Sequence, residues 1–438
     1  MRHRLLLLAP LAALAFAACG SASTAEPGTA RPATGKGWIG GEPDFSSAAA
    51  EGSVGFGAAA PAGRAESAVD AAATTTVAGT REGPLQAGSV DDNADYAGYL
   101  AYLARYRSLG LPSRDIDASG RVVVTVTGAN GLPVLGATVT VDGVAALRTG
   151  ADGRVIFLPA TYGAVQPSYH LTLDDGTSAD VTPGTDVALT STANGGAVDG
   201  VPVDVVFLLD VTGSMGDEID QLKDTVGQVA QQLHDLPQHP DIRFGMTLFR
   251  DEGDAFVTST FDLTGDLQSF EGALAHVVAD GGGDTPEAVD EAFAASLSEP
   301  SWRDPASTAQ FVFLVGDAAP HVERQLEQPY PATIKLAQSR GITVHAIAAS
   351  STDDTAEHAF RAIAEGTGGR FVFLAYGAGG AAVGEHTDIA PTDYEQMSLD
   401  ALVVRLVGES LARLTGTPIV TPVTTSVPRP NGQTQPTS

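Results

Sequence analysis

The chain has 438 residues, long enough for two or three domains, and carries a formal net charge of −29 from 53 acidic residues against 24 lysines and arginines. A chain this acidic repels phosphate backbones, so the composition excludes a nucleic-acid-binding protein. Cys19 is the single cysteine, and the fold therefore cannot depend on disulfides within the chain.

Residues 1–18 have the features of an export signal. Arg2 and Arg4 precede the apolar run 5–18, which is too short to span a bilayer as a mature helix. Cys19 follows at once, and the arrangement resembles a bacterial lipoprotein signal, which implies that Cys19 is lipidated. The alternative is an ordinary secretory signal followed by an unrelated thiol. The resemblance implies an exported protein, lipid-anchored to the bacterial cell envelope at the outer membrane or cell surface.

The next two segments differ in composition. Residues 19–88 are rich in Ala, Gly, Ser, Thr and Pro and poor in large apolar residues, which predicts a disordered tether. Residues 89–118 are predicted to be a short helical segment, because apolar side chains recur at helical spacing after the acidic cluster 91–95. A calcium loop would need a glycine and a distal glutamate, so helix capping is the better interpretation of this cluster.

Residues 119–192 are predicted to form a small β-sandwich. Stretches such as Val122–Thr127 are rich in β-branched residues, and Asn-Gly and Asp-Gly turn signals separate them. Residues 131–141 followed by 149–155 resemble carboxypeptidase regulatory-like domains. The resemblance implies a spacer or an accessory binding module, and the segment contains no catalytic cluster.

Residues 201–416 contain apolar strands that alternate with helical patterns, which predicts an α/β domain with a doubly wound, mostly parallel sheet. Its first strand, 203–209, is apolar throughout and ends on Asp210. The following turn lies at the carboxyl edge of the sheet, where open α/β sheets bind ligands. A closing helix is predicted over 399–414, and the polar tail 417–438 is predicted to be disordered.

Oxygen-bearing side chains follow the apolar strands 203–209 and 311–316 and also lie in the glycine-rich loop 281–287. The candidate ligands are Asp210, Thr212, Ser214, Glu287 and Asp317. Carboxylate and hydroxyl oxygens suit Mg²⁺, Mn²⁺ or Ca²⁺ rather than zinc, and Mg²⁺ in particular keeps waters that an external carboxylate can replace. Two alternatives explain the first turn alone: Asp and Thr that cap the next helix, or an aspartate nucleophile of the phosphatase type. The nucleophile usually needs a second acid where Thr212 stands.

The pattern Asp210-x-Thr212-x-Ser214, together with the acidic loop and Asp317, resembles the metal-ion-dependent adhesion site of von Willebrand factor type A domains. It is similar to the integrin β-subunit version in particular. By position, the resemblance implies that the five candidate ligands form the central site. It also implies candidate adjacent metal sites at Asp217 and Glu218, and at Asp251 with Asp284. The chain departs from that version at Gly282, where the third site has an asparagine.

Two ambiguities concern single residues near this edge. Many type A domains supply a threonine from the glycine-rich loop, here Thr285, but the Pro286-Glu287 pair favours the glutamate. His321, four residues after Asp317, is interpreted as a loop histidine with ordinary hydrogen-bond partners, and the alternative is a hydrogen bond from His321 to a ligand carboxylate. The sequence contains no arrangement typical of a Ser-His-Asp catalytic triad and no His-Glu-x-x-His motif of zinc proteases. We therefore expect no enzyme activity.

These features predict a non-enzymatic envelope lipoprotein that binds a protein partner through a divalent cation, most favourably Mg²⁺. An acidic side chain of the partner would replace a metal-bound water. Two alternatives stay open: a metal-stabilised structural protein of the envelope, and a metal-dependent hydrolase.

Overall fold

The computed structural model describes residues 85–197, 200–216, 218–283, 285–349, 352–375 and 396–419. The predicted signal peptide, Cys19, most of the predicted tether and most of the polar tail lie outside these residues. None of the helices in the described part of the chain is long and apolar enough to cross a membrane.

The elements alternate along the chain. The strands are β1 (Gln86–Val90), β2 (Val122–Thr127), β3 (Thr138–Val141), β4 (Ala145–Arg148), β5 (Arg154–Phe157), β6 (Tyr169–Leu173), β7 (Ser178–Val181), β8 (Val187–Thr190), β9 (Pro202–Asp210), β10 (Asp241–Phe249), β11 (Thr258–Thr264), β12 (Ala309–Gly316), β13 (Ile342–Ala348), β14 (Phe371–Ala375) and β15 (Gln396–Ser398). The helices are α1 (Tyr96–Leu109), α2 (Ile219–His234), α3 (Leu267–Ala275), α4 (Val289–Ser298), α5 (Tyr330–Arg340), α6 (Asp354–Gly366) and α7 (Leu399–Thr415).

The large sheet has the strand order β11-β10-β9-β12-β13-β14-β1-β15. Strands β10, β9, β12, β13 and β14 are parallel, whereas β11 and β1 run antiparallel to their neighbours. Every residue of β12 is buried, as expected for a strand covered on both faces. Helices α2, α3 and α7 contribute to the core on one face, and α1, α4, α5 and α6 to the core on the other. The predicted doubly wound, mostly parallel α/β sheet is confirmed.

The predicted β-sandwich consists of a three-stranded sheet, β5-β2-β8, and a four-stranded sheet, β4-β3-β6-β7. Their inward side chains form a separate core of valine, leucine and aromatic residues. Strand β3 shows why the sequence predicts it, since buried Val139 and Val141 alternate with the more exposed Thr138 and Thr140. In the chain, the sandwich lies between α1 and β9.

Strand β1 is not predicted by the sequence, and its first three residues are the last three of the predicted tether 19–88, so the tether prediction is wrong for these residues. Its residues Gln-Ala-Gly-Ser-Val carry little β signal, but the strand pairs with β14 on one side and β15 on the other. After it, Asp95 Oδ1 accepts a hydrogen bond from the Gly98 amide at 3.1 Å, so the capping interpretation of the acidic cluster is confirmed. The segment before the sandwich therefore belongs to the large sheet.

Candidate metal centre

The turn after β9 brings the first predicted ligands together. Strands β9 and β12 pair in parallel up to Leu209 and Val315, so the side chains that follow them meet at one edge of the sheet. The backbone amide and the hydroxyl of Thr212 both donate to Asp210 Oδ1, at 2.9 and 2.6 Å. Asp210 and Thr212 are completely buried. The sequence therefore folds into a turn in which the strand-terminal carboxylate organises the next hydroxyl group.

A continuous hydrogen-bond chain links this turn to strand β12. Thr212 Oγ1 and Ser214 Oγ are 3.1 Å apart, and Ser214 Oγ donates to Asp317 Oδ1 at 3.1 Å. Four of the five predicted ligands are thus in direct hydrogen-bond contact, in the order Asp210, Thr212, Ser214, Asp317. Both hydroxyl groups lie between two carboxylates.

Glu287 reaches the same cluster from the glycine-rich loop. Its backbone amide donates to the carbonyl of Ala319 at 2.9 Å, and its side chain is only 2% exposed. Thr285, the alternative ligand, is exposed. Gly282 has a φ of 59°, and a Cβ on it would lie 2.8 Å from both Glu287 Oε1 and Thr212 Cβ. The asparagine of the integrin version could not stand at this position without displacing Glu287.

Burial and like charges disfavour ionisation of two of these carboxylates. Burial raises the pKa of Asp210 to about 7, against the hydrogen bond from Thr212 and with an added contribution from the charge of Asp317. Burial, together with the charges of Asp210, Asp251, Asp254 and Asp317, raises the pKa of Glu287 to about 8. The protein therefore leaves the negative charge of the carboxylates in this cluster uncompensated.

The donor set fits a divalent cation. Asp210 Oδ2 and Glu287 Oε2 are buried and have no hydrogen-bond partner among the described residues. Buried carboxylate oxygens without a partner are costly, and a hard cation satisfies them. In the part of the chain that the structure describes, no three His, Cys, Asp or Glu side chains are arranged to hold a metal by themselves. A cation here would therefore need the hydroxyl groups of Thr212 and Ser214 as well.

The candidate adjacent sites receive less support. Asp217 and Asp284 lie outside the described residues, and Glu218 is buried where helix α2 begins. Asp251 Oδ1 is 3.0 Å from His321 Nε2 and 3.2 Å from Arg324 Nη1. A guanidinium thus already compensates the charge of Asp251, and the role of Asp251 as a metal ligand stays a prediction.

The two ring nitrogens of His321 contact Asp251 and Glu323. Because Asp251 is itself a candidate ligand of an adjacent site, this contact fits both the loop histidine and the histidine that holds a ligand carboxylate, and the choice between them stays a prediction. Burial raises the pKa of Asp251, but a backbone hydrogen bond at Glu252 and the neighbouring Arg324 and His321 outweigh it and lower the pKa below its ordinary value. Asp251 and Asp210 are therefore carboxylates in opposite environments at one edge of the sheet.

Asp254 is a site residue that the sequence does not reveal as one. Its Oδ2 accepts hydrogen bonds from the amide of Gly282 at 2.9 Å and from the amide of Asp251 at 3.2 Å. It thereby ties the loop after β10 to the glycine-rich loop that leads to Glu287. The only signal for it in the sequence is a second aspartate three residues after Asp251.

A comparison with protein families agrees with this fold. The family model of the von Willebrand factor type A domain matches residues 204–376. A comparison with curated proteins gives no match. Proximal thread matrix protein 1 from the mussel byssus is 15% identical, with a TM-score of 0.30, over 39% of this chain and 41% of its own. Another structure of that mussel protein has a zinc-occupied MIDAS motif.

Two bacterial structures are similar as well. BatB from Bacteroides thetaiotaomicron, a conserved hypothetical protein, is 16% identical, with a TM-score of 0.31, over 42% of this chain and 96% of its own. The pilus adhesin SpaC from Lactobacillus rhamnosus GG is 13% identical, with a TM-score of 0.32, over 57% of this chain and 32% of its own. The chain thus spans about two fifths of the mussel protein and a third of the adhesin. TM-scores near 0.3 support no inference about function. The family match and the doubly wound sheet together identify residues 204–376 as a von Willebrand factor type A domain.

Proposed function

We propose that this protein is a non-enzymatic, exported bacterial lipoprotein whose type A domain binds a protein partner through a divalent cation. One observation carries the proposal. Asp210 Oδ2 and Glu287 Oε2 are buried without a hydrogen-bond partner among the described residues, next to two hydroxyl groups and a third carboxylate. Such a cluster is costly as it stands and becomes favourable when a cation compensates it.

The five side chains have different tasks in this proposal. Asp210 and Glu287 supply carboxylate oxygens, and Thr212 and Ser214 supply hydroxyl oxygens whose orientation is fixed by hydrogen bonds to Asp210 and Asp317. A divalent cation, most favourably Mg²⁺, supplies positive charge that pairs with an acidic side chain of the partner. Because the protein ligation is incomplete, the partner carboxylate can take a position that water otherwise fills. Asp217 with Glu218, and Asp251 with Asp284, remain candidate residues for adjacent ions.

The remaining segments suit attachment to the cell envelope. Lipidation of Cys19 would place the protein on the outer membrane or cell surface, with residues 20–85 between the lipid and strand β1. The β-sandwich, as a carboxypeptidase regulatory-like module, would act as a spacer. A single acyl chain binds membranes only weakly, so the anchor needs more than one.

Calorimetric titration of Mg²⁺ and Mn²⁺ tests the cation site. We expect binding by the wild-type protein and none by the double variant Asp210→Ala, Ser214→Ala, because it loses a carboxylate and a hydroxyl ligand. The matched control is Asp180→Ala, Ser178→Ala, which removes an exposed aspartate and serine of the sandwich and should bind like the wild type. Equal affinity in all three proteins would contradict the site.

A second experiment separates adhesion from the alternatives. We expect chemical crosslinking on intact cells to capture a protein partner in Mg²⁺ but not in EDTA, and capture to be lost with Asp210→Ala. Metal binding that raises the melting temperature without any Mg²⁺-dependent capture would favour the structural protein. Phosphoester turnover that Asp210→Asn abolishes would favour the hydrolase.

A further inference from the structure

The segment before the β-sandwich lies outside the family match, yet it is part of the type A sheet. Strand β1 pairs with β14 and β15. Just after it, Asp92 forms a buried ion pair with Arg361 of α6 at 2.6 Å. Tyr106 of α1 stacks on His358 of the same helix, with ring centroids 4.0 Å apart. These contacts fix the course of the chain up to the residues that follow α1.

Arg114, which follows α1, reaches the edge of the sheet that carries the candidate ligands. Its Nη2 donates to the carbonyl oxygens of His321 at 2.9 Å and Arg324 at 2.8 Å. Its Nε donates to Asp290 Oδ2 at 3.2 Å, and Asp290 is completely buried in the first turn of α4. The carbonyl of Arg114 itself accepts a hydrogen bond from Tyr330 Oη at 2.6 Å. Arg114 therefore joins α4 to the loop between β12 and α5.

That loop, residues 317–329, sets the position of several acids of the site. It begins with Asp317, which accepts the hydrogen bond from Ser214. The carbonyl oxygen of Ala319 accepts a hydrogen bond from the backbone amide of Glu287. Further along the loop, the His321 and Arg324 side chains hold Asp251. The two carbonyls that Arg114 binds belong to these last two residues.

We propose that Arg114 is a positioning residue of the cation site, which holds the 317–329 loop in the geometry that presents Asp317 and Glu287. A guanidinium suits this task because its planar fork can bind two carbonyls and a carboxylate at once, whereas the ammonium of lysine is a compact point charge. Buried Asp290 fixes the direction of the fork and receives a compensating charge from it. The proposal rests on the proposed function, since it assigns Arg114 to the same cation.

It follows that the type A domain is discontinuous in sequence. Residues 204–376, which the family model matches, lack Arg114, β1 and Asp92. The positioning of the metal edge then depends on the stretch of chain between the predicted tether and the sandwich. The test therefore uses the whole protein.

The test compares two arginine variants of the same segment. Arg114→Lys keeps the charge near Asp290 but loses the fork to the two carbonyls. Arg121→Lys is the matched control, because Arg121 is also buried. Its side chain binds Asn93 and also Glu365, which lies near the carboxyl end of α6. We expect the Mg²⁺ or Mn²⁺ dissociation constant to rise about tenfold in Arg114→Lys, since residues that support metal ligands typically contribute this much to affinity. The control should keep the wild-type affinity.

Hydrogen exchange of the metal-free proteins gives a second readout. We expect the amides of residues 318–324 to exchange faster in Arg114→Lys than in the wild type or in Arg121→Lys, because the loop loses its clamp. If Arg114→Lys does not fold, Asp290→Asn weakens the same clamp and should show a smaller change in the same direction.

The outcomes distinguish the two proposals. A wild-type protein that binds no divalent cation overturns the proposed function and this inference with it. A wild-type protein that binds the cation, with unchanged affinity and unchanged loop exchange in Arg114→Lys or Asp290→Asn, overturns only the role of Arg114. Equal losses of affinity in Arg114→Lys and Arg121→Lys also overturn it, because a general loss of stability then explains the result.

Discussion

Strand β9 carries a completely buried aspartate near each end, and the two are treated differently by the rest of the protein. Asp204, at the amino end, accepts hydrogen bonds from Arg243 Nε and Nη2, at 3.0 and 2.8 Å, and from Arg303 Nε at 2.8 Å. Asp210, at the carboxyl end, accepts hydrogen bonds from Thr212, and its Oδ2 has no partner among the described residues. Both side chains are 0% exposed.

The difference shows that burial alone does not identify a functional acid. A buried carboxylate with two arginines is a closed ion-pair network that connects neighbouring strands and loops. A buried carboxylate among hydroxyl groups and other carboxylates has unmet electrostatic needs, which an external cation can meet. The compensating partners, rather than the depth of burial, separate the structural end of β9 from the end that we propose to be functional.

The largest expected effect on the free energy of unfolding is at Asp204, the structural end of β9. Asp204→Ala leaves the guanidinium groups of Arg243 and Arg303 without their buried partner, and we expect it to lower the free energy of unfolding by about 3 kcal/mol. Urea unfolding should give the same loss with and without Mg²⁺. Asp241→Ala is the control, because this aspartate pairs with Arg303 but is exposed, and it should cost about 1 kcal/mol or less. A loss at Asp204 that disappears in Mg²⁺ would contradict the comparison.

At the functional end of β9, the stability that Asp210 contributes should depend on Mg²⁺. Mg²⁺ at about 100 times its dissociation constant should stabilise the wild-type protein by about 2.7 kcal/mol, and Asp210→Asn should abolish this gain. Without metal, Asp210→Asn should unfold at the same urea concentration as the wild type or a higher one, because it removes a buried charge that no basic group compensates. If Asp210→Asn without metal lost as much stability as Asp204→Ala does, Asp210 would be a structural acid too.

The sequence predicts the functional end of β9 better than its surroundings. The apolar runs of β9 and β12 are long, and the acids that follow them stand where parallel strands end, so Asp210 and Asp317 can be placed at one edge. Glu287 could be preferred over Thr285 from the neighbouring proline alone. These predictions need only local patterns and the topology of the sheet.

The supporting residues could not be predicted in this way. Strand β1 is short and polar, and its partners β14 and β15 lie hundreds of residues later in the chain, so no local pattern indicates the pairing. Arg114 acts through backbone carbonyls of the 317–329 loop, and carbonyl contacts have no sequence signature. The closeness of Gly282 to Glu287 also becomes visible only when the loop conformation is known.

Glu365 provides an intermediate case between Asp204 and Asp210. This glutamate is buried at the end of α6 and has one arginine nearby, with Oε1 3.5 Å from Arg121 Nη1. Burial raises the pKa of Glu365 to about 7, although Arg121 acts in the opposite direction. One loosely placed arginine therefore compensates this carboxylate less well than two arginines compensate Asp204.

The smallest expected effect follows from this raised pKa. Because the folded protein holds the Glu365 proton more tightly than the unfolded chain does, the contribution of this group to stability falls as the pH rises from about 4.5 to about 7. Below this window Glu365 is protonated in both states, and above it the full cost of the buried charge is present. Glu365→Gln should remove this part of the pH dependence, measured as urea unfolding at pH 5 and pH 8 in EDTA. Exposed Glu327→Gln should leave it unchanged, and a Glu365→Gln protein with the full wild-type pH dependence would show that Arg121 compensates Glu365 as completely as Arg243 and Arg303 compensate Asp204.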